Sequence, residues 1–184
     1  MAVAPRRWAA ELLHYWFHTL RPRDWFGRSD AVDAELRRRF GPDLKAMAAM
    51  SADSFLTDPL TARAAILLFD QVPRNIHRGS ADAFACDPLA RQIAYGMLWR
   101  EWDLRFSPAA RQFIAMPLMH SEAIADQLNA LAYFGRLGPR HGAPYARSHY
   151  RMIARFGRFP HRNPVLGRAS TPAELKAVAA GNAW

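Results

Sequence analysis

Residues 58–79 read Asp58-Pro59-Leu60-Thr61-Ala62-Arg63-Ala64-Ala65-Ile66-Leu67-Leu68-Phe69-Asp70-Gln71-Val72-Pro73-Arg74-Asn75-Ile76-His77-Arg78-Gly79. A helix signal opens the stretch, an apolar run follows, and a dense polar cluster closes it. Asp58 is a good N-cap, and Pro59 at the first helical position loses nothing, because that amide has no partner inside a helix. Leu60, Ala64, Ile66, Leu67 and Leu68 cover too wide an arc for a surface stripe, so the helix predicted over 59–72 is central and deeply buried. Pro73 lacks an amide and disfavours helix at Val72, which predicts a stop or kink where Asp70, Gln71, Arg74, Asn75 and Arg78 are presented. A carboxylate at the end of a buried helix needs a partner, and Arg74 or an arginine from elsewhere offers one in paired geometry.

The same punctuation recurs outward from this segment. Asp87-Pro88, Ser107-Pro108 and Thr171-Pro172 mark further helix starts, and Thr171-Pro172-Ala173-Glu174 adds a capping box. Helices are predicted over 6–20, 29–40, 42–50, 59–72, 80–99 with a break near Asp87, 108–115, 118–135, 143–157 and 172–181. No alternating strand pattern and no linker divides the chain, so the expectation is an all-α single domain, 1–184, with neighbouring helices antiparallel and joined by short loops. No internal sequence repeat is evident.

Composition narrows the function classes. The 184 residues are 51% hydrophobic and 22% charged, ordinary for one globular core. The lone Cys86 excludes an internal disulfide and a cysteine-based zinc site. No apolar run approaches the roughly 18 residues of a membrane span, and the N-terminus lacks the form of a signal peptide, so a cytoplasmic protein without a membrane partner is expected. Net charge is +9, and of the 25 basic residues all but Lys45 and Lys176 are arginine. That bias by itself is compositional, and it makes nucleic acid a possible but not a favoured partner.

Its distribution along the chain is another matter. From Arg136 to Arg168 the chain carries arginines at 136, 140, 147, 151, 155, 158, 162 and 168 and no Asp or Glu. So many guanidiniums either meet carboxylates from elsewhere or face an anionic partner. Arg147, Arg151 and Arg155 repeat every four residues and align on one helix face, which calls for something anionic beside it. The run from Phe156 to Arg168 then places Arg158, His161, Arg162 and Asn163 among aromatics, prolines and the permissive Gly157 and Gly167, predicting a held loop.

A further polar group is His120-Ser121-Glu122. Two residues apart on a helix, His120 and Glu122 point roughly 200° apart, so they share a site only if the turn is irregular. Ser121 lacks the glycine pattern of a nucleophile elbow. Glu122 is a natural counter-ion for the basic segment. His120, His149 and His161 show no i, i+4 pair among themselves, and adjacent arginines oppose a cation, so neither metal nor cofactor is expected.

In this order the motifs resemble DUF924, a bacterial family of unknown function. The resemblance runs through Tyr15-Trp16-Phe17, Trp25-Phe26-Gly27, Asp33-Ala34-Glu35-Leu36, Arg39-Phe40-Gly41, Asp70-Gln71 with Pro73-Arg74-Asn75 and Arg78-Gly79, Pro117-Leu118 with His120-Ser121-Glu122, and the Phe156–Arg168 run with Ser170-Thr171. It implies a tetratricopeptide-like α-α superhelix of about eight to ten helices, and no particular reaction. Two departures stand out. Met50 to Phe55 lacks the family's usual glycine and tryptophan, and His77 replaces a usually non-histidine residue, so His77 is left out of any shared site.

Two function classes follow as expectations. In the first, Asp70, Arg74, Asn75, Arg78, His120, Glu122, Arg158, His161, Arg162 and Asn163 line one concave pocket for a small phosphate or carboxylate ligand. Arg158 and Arg162, with Arg74 or Arg78, would clamp the anion; Asn75 and Asn163 would orient it; His120 or His161 beside Glu122 would move a proton if chemistry occurs. In the second, an interaction module grips an acidic peptide or terminal carboxylate, with Trp16 and Trp25 lining its groove. A purely structural role, with Asp70 and Glu122 satisfying the arginines, stands beside both.

Overall fold

The computed structural model describes residues 6–181. Among them every regular element is helical. They fall into two compact units, the first holding residues up to 78 together with 82–106, the second holding 79–81 and the residues from 107 onward.

The first unit contains α1 (Arg7–His14), α2 (Asp30–Met47), α3 (Pro59–Ile66), α4 (Val72–Ile76) and α5 (Asp87–Trp99). The Asp58 carboxylate accepts from the amides of Leu60 and Thr61 at 3.0 and 2.9 Å, as the capping signal predicts. From Ala64 to Pro73 every residue is buried, so the 59–72 segment is the centre of this unit, packed against α1 and α5. Leu12, Trp16, Leu36, Phe40, Phe55 and Phe69 are sealed from solvent. Each such side chain contributes roughly 1.5–3 kcal/mol of burial.

The helix does not stop at Val72. It widens into a π turn over Leu67–Gln71, in which the Val72 amide donates to Leu67 O, and resumes as α4, whose end is marked by the His77 amide donating to Pro73 O at 2.9 Å. The wide turn supplies one extra residue just before Pro73, so a residue without an amide is taken up without ending the helix. Pro42 likewise fails to divide the segment predicted as 29–40 and 42–50; α2 runs through it, held by buried Phe40 and Leu44. Trp16, expected to line a groove, belongs to the core instead, and its carbonyl accepts from Trp25 Nε1 at 2.7 Å.

The second unit contains α6 (Pro108–Met119), α7 (Ile124–Leu137), α8 (Ala143–Phe156) and α9 (Pro172–Ala179). Helices α6, α7 and α8 pack on one another, and α9 packs on the single turn Pro160–Arg162. Here the predicted boundary moves: α6 continues through Pro117 to Met119, and α7 begins only at Ile124. Two bonds from Gln127 Nε2, to Met119 O at 2.7 Å and Ser121 O at 2.6 Å, close the end of α6, and buried Met116 to Met119 hold its last turn in the core. Between α7 and α8, Gly142 has φ of 102° and lies so close to the Phe134 ring that a Cβ would stand 2.9 Å from it; only glycine fits.

Of the proline-marked starts, Asp58 and Thr171 make their cap bonds while Ser107 makes none. Asp87 sits inside the first turn of α5, and its carboxylate is diverted to Arg74. No helix among the described residues is long and apolar enough to cross a membrane.

Candidate functional site

The ten predicted residues divide between the units: Asp70, Arg74, Asn75 and Arg78 belong to the first, and His120, Glu122, Arg158, His161, Arg162 and Asn163 to the second.

In the first unit the π turn and α4 bring the polar side chains onto successive turns. Asp70, with no exposed surface, faces Arg74 Nη1 at 3.2 Å and accepts from Gln71 Nε2 at 2.5 Å. Arg74 also reaches Asp87 through two nitrogens, at 2.8 and 2.9 Å. Burial disfavours its charge, but the two carboxylates outweigh that and hold its pKa above the ordinary arginine value. Arg78 forks onto Asp33 at 2.6 and 3.1 Å and onto Asn75 Oδ1 at 2.7 Å, while Asn75 Nδ2 donates to Gln71 O at 2.9 Å. Arg37 caps this end by donating to Ile76 O. Each arginine of the motif therefore has a carboxylate, and the arrangement is a charge-matched clamp on the end of the buried helix.

The second unit uses its charges in two ways. Around the loop after α8, Gly157 (φ 69°) ends the helix, its amide donating to Ile153 O at 2.8 Å. Glu122 then binds the loop, accepting from the Phe159 amide at 2.8 Å and from Arg168 Nη1 and Nη2 at 2.8 and 2.9 Å. Burial pushes the Glu122 carboxyl up, yet these bonds with the Arg168 and Arg162 charges hold it below the usual carboxylate range. Arg158 turns the other way, to Glu174 at 2.6 and 3.0 Å and Ala169 O at 2.9 Å. Glu174 is only 2% exposed and completes the capping box with Thr171; the Arg158 bond first, then the Thr171 amide, bring its pKa down to about 2. Asn163 Nδ2 donates to Ser170 Oγ at 3.0 Å. These contacts fasten the loop at both ends.

Inside the fastened loop lies a cluster of basic side chains. Phe159 is fully buried; Arg162 stacks on its face with Cζ 4.6 Å from the centroid, and the rings of His149 and His161 lie 5.3 and 5.7 Å from it. His120 is 6.2 Å from His149, ring centre to ring centre. His149 Nδ1 lies 2.9 Å from Tyr145 O, so in the neutral ring the proton sits on Nδ1 and Nε2 carries the lone pair. Burial first, then the charge on His120, and then Arg162 and His161, outweigh the Tyr145 bond and pull His149 from 6.5 to about 3. Asn163, next in the chain to Arg162, is fully buried with Oδ1 meeting no donor.

His120 and Glu122 lie in the irregular turn after α6, where the roughly 200° helical spacing does not apply; His120 lies beside His149 and Glu122 binds the loop. Ser121 Oγ donates to Asp126 at 2.5 Å and accepts from the Ala123 amide at 3.1 Å, a turn-forming role. Arg147, Arg151 and Arg155 stand exposed along α8 and form no ion pair among the described residues. His149 was seen in the sequence only as one of several histidines. Its place on the same face as buried Ala146, Met152 and Ile153 is the helix-period signal that marks it as a core histidine.

With this geometry in hand, two comparisons place the chain. Residues 12–182 match the profile of the family described as "Bacterial protein of unknown function (DUF924)". The solved structure of a protein of unknown function from Agrobacterium tumefaciens is similar at 36% identity and a TM-score of 0.89, over 94% of this chain and 97% of that one. None of the curated proteins matches.

Proposed function

The chain belongs to the DUF924 family, and from that premise we propose that its second unit binds a small anionic ligand, a phosphate or carboxylate, among the basic side chains around Phe159. The observation that carries the reading is the crowding of His120, His149, His161 and Arg162, close enough that neighbouring charge helps to drive His149 down to about 3. Glu122 already bonds Arg168 and the Phe159 amide, and an anion from solution would add negative charge beside the basic side chains. Arg162 supplies planar paired donors for an oxyanion, and its stacking on Phe159 fixes their plane. His149 Nε2 is suited to accept a proton or hydrogen bond from a ligand hydroxyl, and Asn163 Oδ1 offers a second acceptor. The reading assigns binding and no reaction. Arg158 bonds Glu174, and on this reading it supports the loop rather than clamping the anion.

Thermal unfolding at low salt, with inorganic phosphate, phosphorylated metabolites and carboxylates, tests this. A ligand at about a hundred times its dissociation constant adds roughly 2.7 kcal/mol, hence about 5 to 11 °C for a chain of this length unfolding as a whole. The shift is expected to vanish in Arg162→Gln and His149→Gln and to persist in Arg158→Gln. Equal shifts in all three variants overturn the reading.

A further inference from the structure

Arg63 projects from the middle of α3 and differs from the ion-paired arginines described so far. Its Cζ lies 4.6 Å from the centroid of Phe17 and 4.3 Å from that of Phe106, so the guanidinium is gripped between two rings. Arg74, Arg78, Arg158 and Arg168 all meet carboxylates. Arg63 meets none, and makes no hydrogen bond, among the described residues. Its Nε is sealed from solvent with no acceptor. Burial alone draws its pKa down to about 10, with no neighbouring acid opposing the change.

Stacking explains half of this arrangement. Two aromatic faces attract the cation by roughly 0.5–2 kcal/mol each, which offsets part of the cost of removing it from water. A ring face satisfies none of the five N–H groups, all of which lie in the guanidinium plane. With two ring faces against the guanidinium, an anion engages it along its edge, the direction from which a carboxylate or phosphate forms two parallel bonds. The grip also removes most of the side-chain freedom that a flexible arginine loses on binding. The aromatic surroundings extend further: Phe17 meets Trp25 edge-on at 6.0 Å, and Trp25 meets Phe26 at 6.4 Å, with Phe26 64% exposed. That rim suits an apolar body attached to the anion better than a bare ion.

We propose that Arg63, held between Phe17 and Phe106, is a second anion site, in the first unit, for a carboxylate or phosphate carried on an aromatic or other apolar group. The site is independent of the one around Phe159, and neither needs the other.

The probes are benzoate and phenyl phosphate at millimolar concentration, with acetate and inorganic phosphate as controls without an apolar body. Binding is read by calorimetry and by the NMR resonance of the Arg63 Nε–H, assigned by its loss in Arg63→Met. The expected result is that benzoate or phenyl phosphate moves that resonance and outbinds its control, and whichever of the two is tighter names the anion. Arg63→Met should lose at least about tenfold in affinity, while Arg162→Gln, which disables the other site, should leave the ligand-induced shift of the Arg63 Nε–H resonance in place. Arg63→Lys keeps the charge without the planar fork and should also lose about tenfold, which keeps the test open if the Met variant folds poorly. An unmoved Nε–H signal with both aromatic probes, or wild-type affinity in Arg63→Lys, overturns the proposal.

Discussion

The polar end of the buried helix in the first unit and the loop after α8 in the second are both rich in arginine, and they treat it differently. At Asp70–Arg78 every guanidinium has a carboxylate: Arg74 has Asp70 and Asp87, and Arg78 has Asp33. At Phe156–Arg168 the outer arginines, 158 and 168, are matched by Glu174 and Glu122, while Arg162 lies on Phe159 beside imidazoles. Matched arginines hold backbone in place, and the cost of breaking them is structural. On the proposed reading, the basic side chains around Phe159 gain when an anion arrives. The difference distinguishes ion-paired arginines from one stacked on an aromatic ring more sharply than a count of arginines does.

The largest expected effect sharpens the contrast through pH. His149 is buried neutral with a pKa of about 3, whereas in the unfolded chain it titrates near 6.5. Between those values the unfolded state holds more protons, so stability is full above pH 6.5, falls as pH drops, and loses roughly 5 kcal/mol from this group by pH 3. Urea unfolding across this range should therefore show a steep acid loss in wild type that is shallower in His149→Gln. Parallel curves would mean that the histidine cluster is not a burden on the fold.

Next in size is the clamp. Asp70→Asn keeps the shape and removes the charge facing Arg74, and the expected cost is about 3 kcal/mol. This is the low end for stranding one member of a buried pair, because Asp87 still faces Arg74. A near-zero change in the urea midpoint would break the view of this cluster as a stabilising clamp. Smallest is the loop's outer support. Thr171→Ala removes the hydroxyl that accepts from the Glu174 amide and should cost about 1 kcal/mol in the same measurement. Phosphate affinity should stay unchanged, since Glu122 still fastens the loop through the Phe159 amide.

Much of the local structure could be read in order along the chain. Asp58-Pro59 and Thr171-Pro172 start helices as predicted, and Thr171 and Glu174 form the capping box, because caps are set by residues within one turn of each other. Deep burial of the 59–72 segment followed from its apolar arc, and Gly157 and the prolines marked the loop that holds Arg162. Prolines misled where burial opposed them: Pro42 and Pro117 lie inside helices whose neighbours are core residues, and Pro73 is carried past by a π turn. The lost hydrogen bond is a local penalty, and it is outweighed by apolar contacts made far away in sequence.

By itself, then, the sequence determined the helical class, the family, the buried helix and the position of a fastened basic loop, all carried by periodicity and short-range motifs. Only the tertiary structure decided which partner an arginine has. Arg78 and Asp33 are 45 residues apart, and Arg168 and Glu122 are 46 apart. Charge pairing acts through space, and no spacing rule along the chain separates Arg158, bound to Glu174, from Arg162, stacked on Phe159, or finds Arg63 between two rings from distant segments.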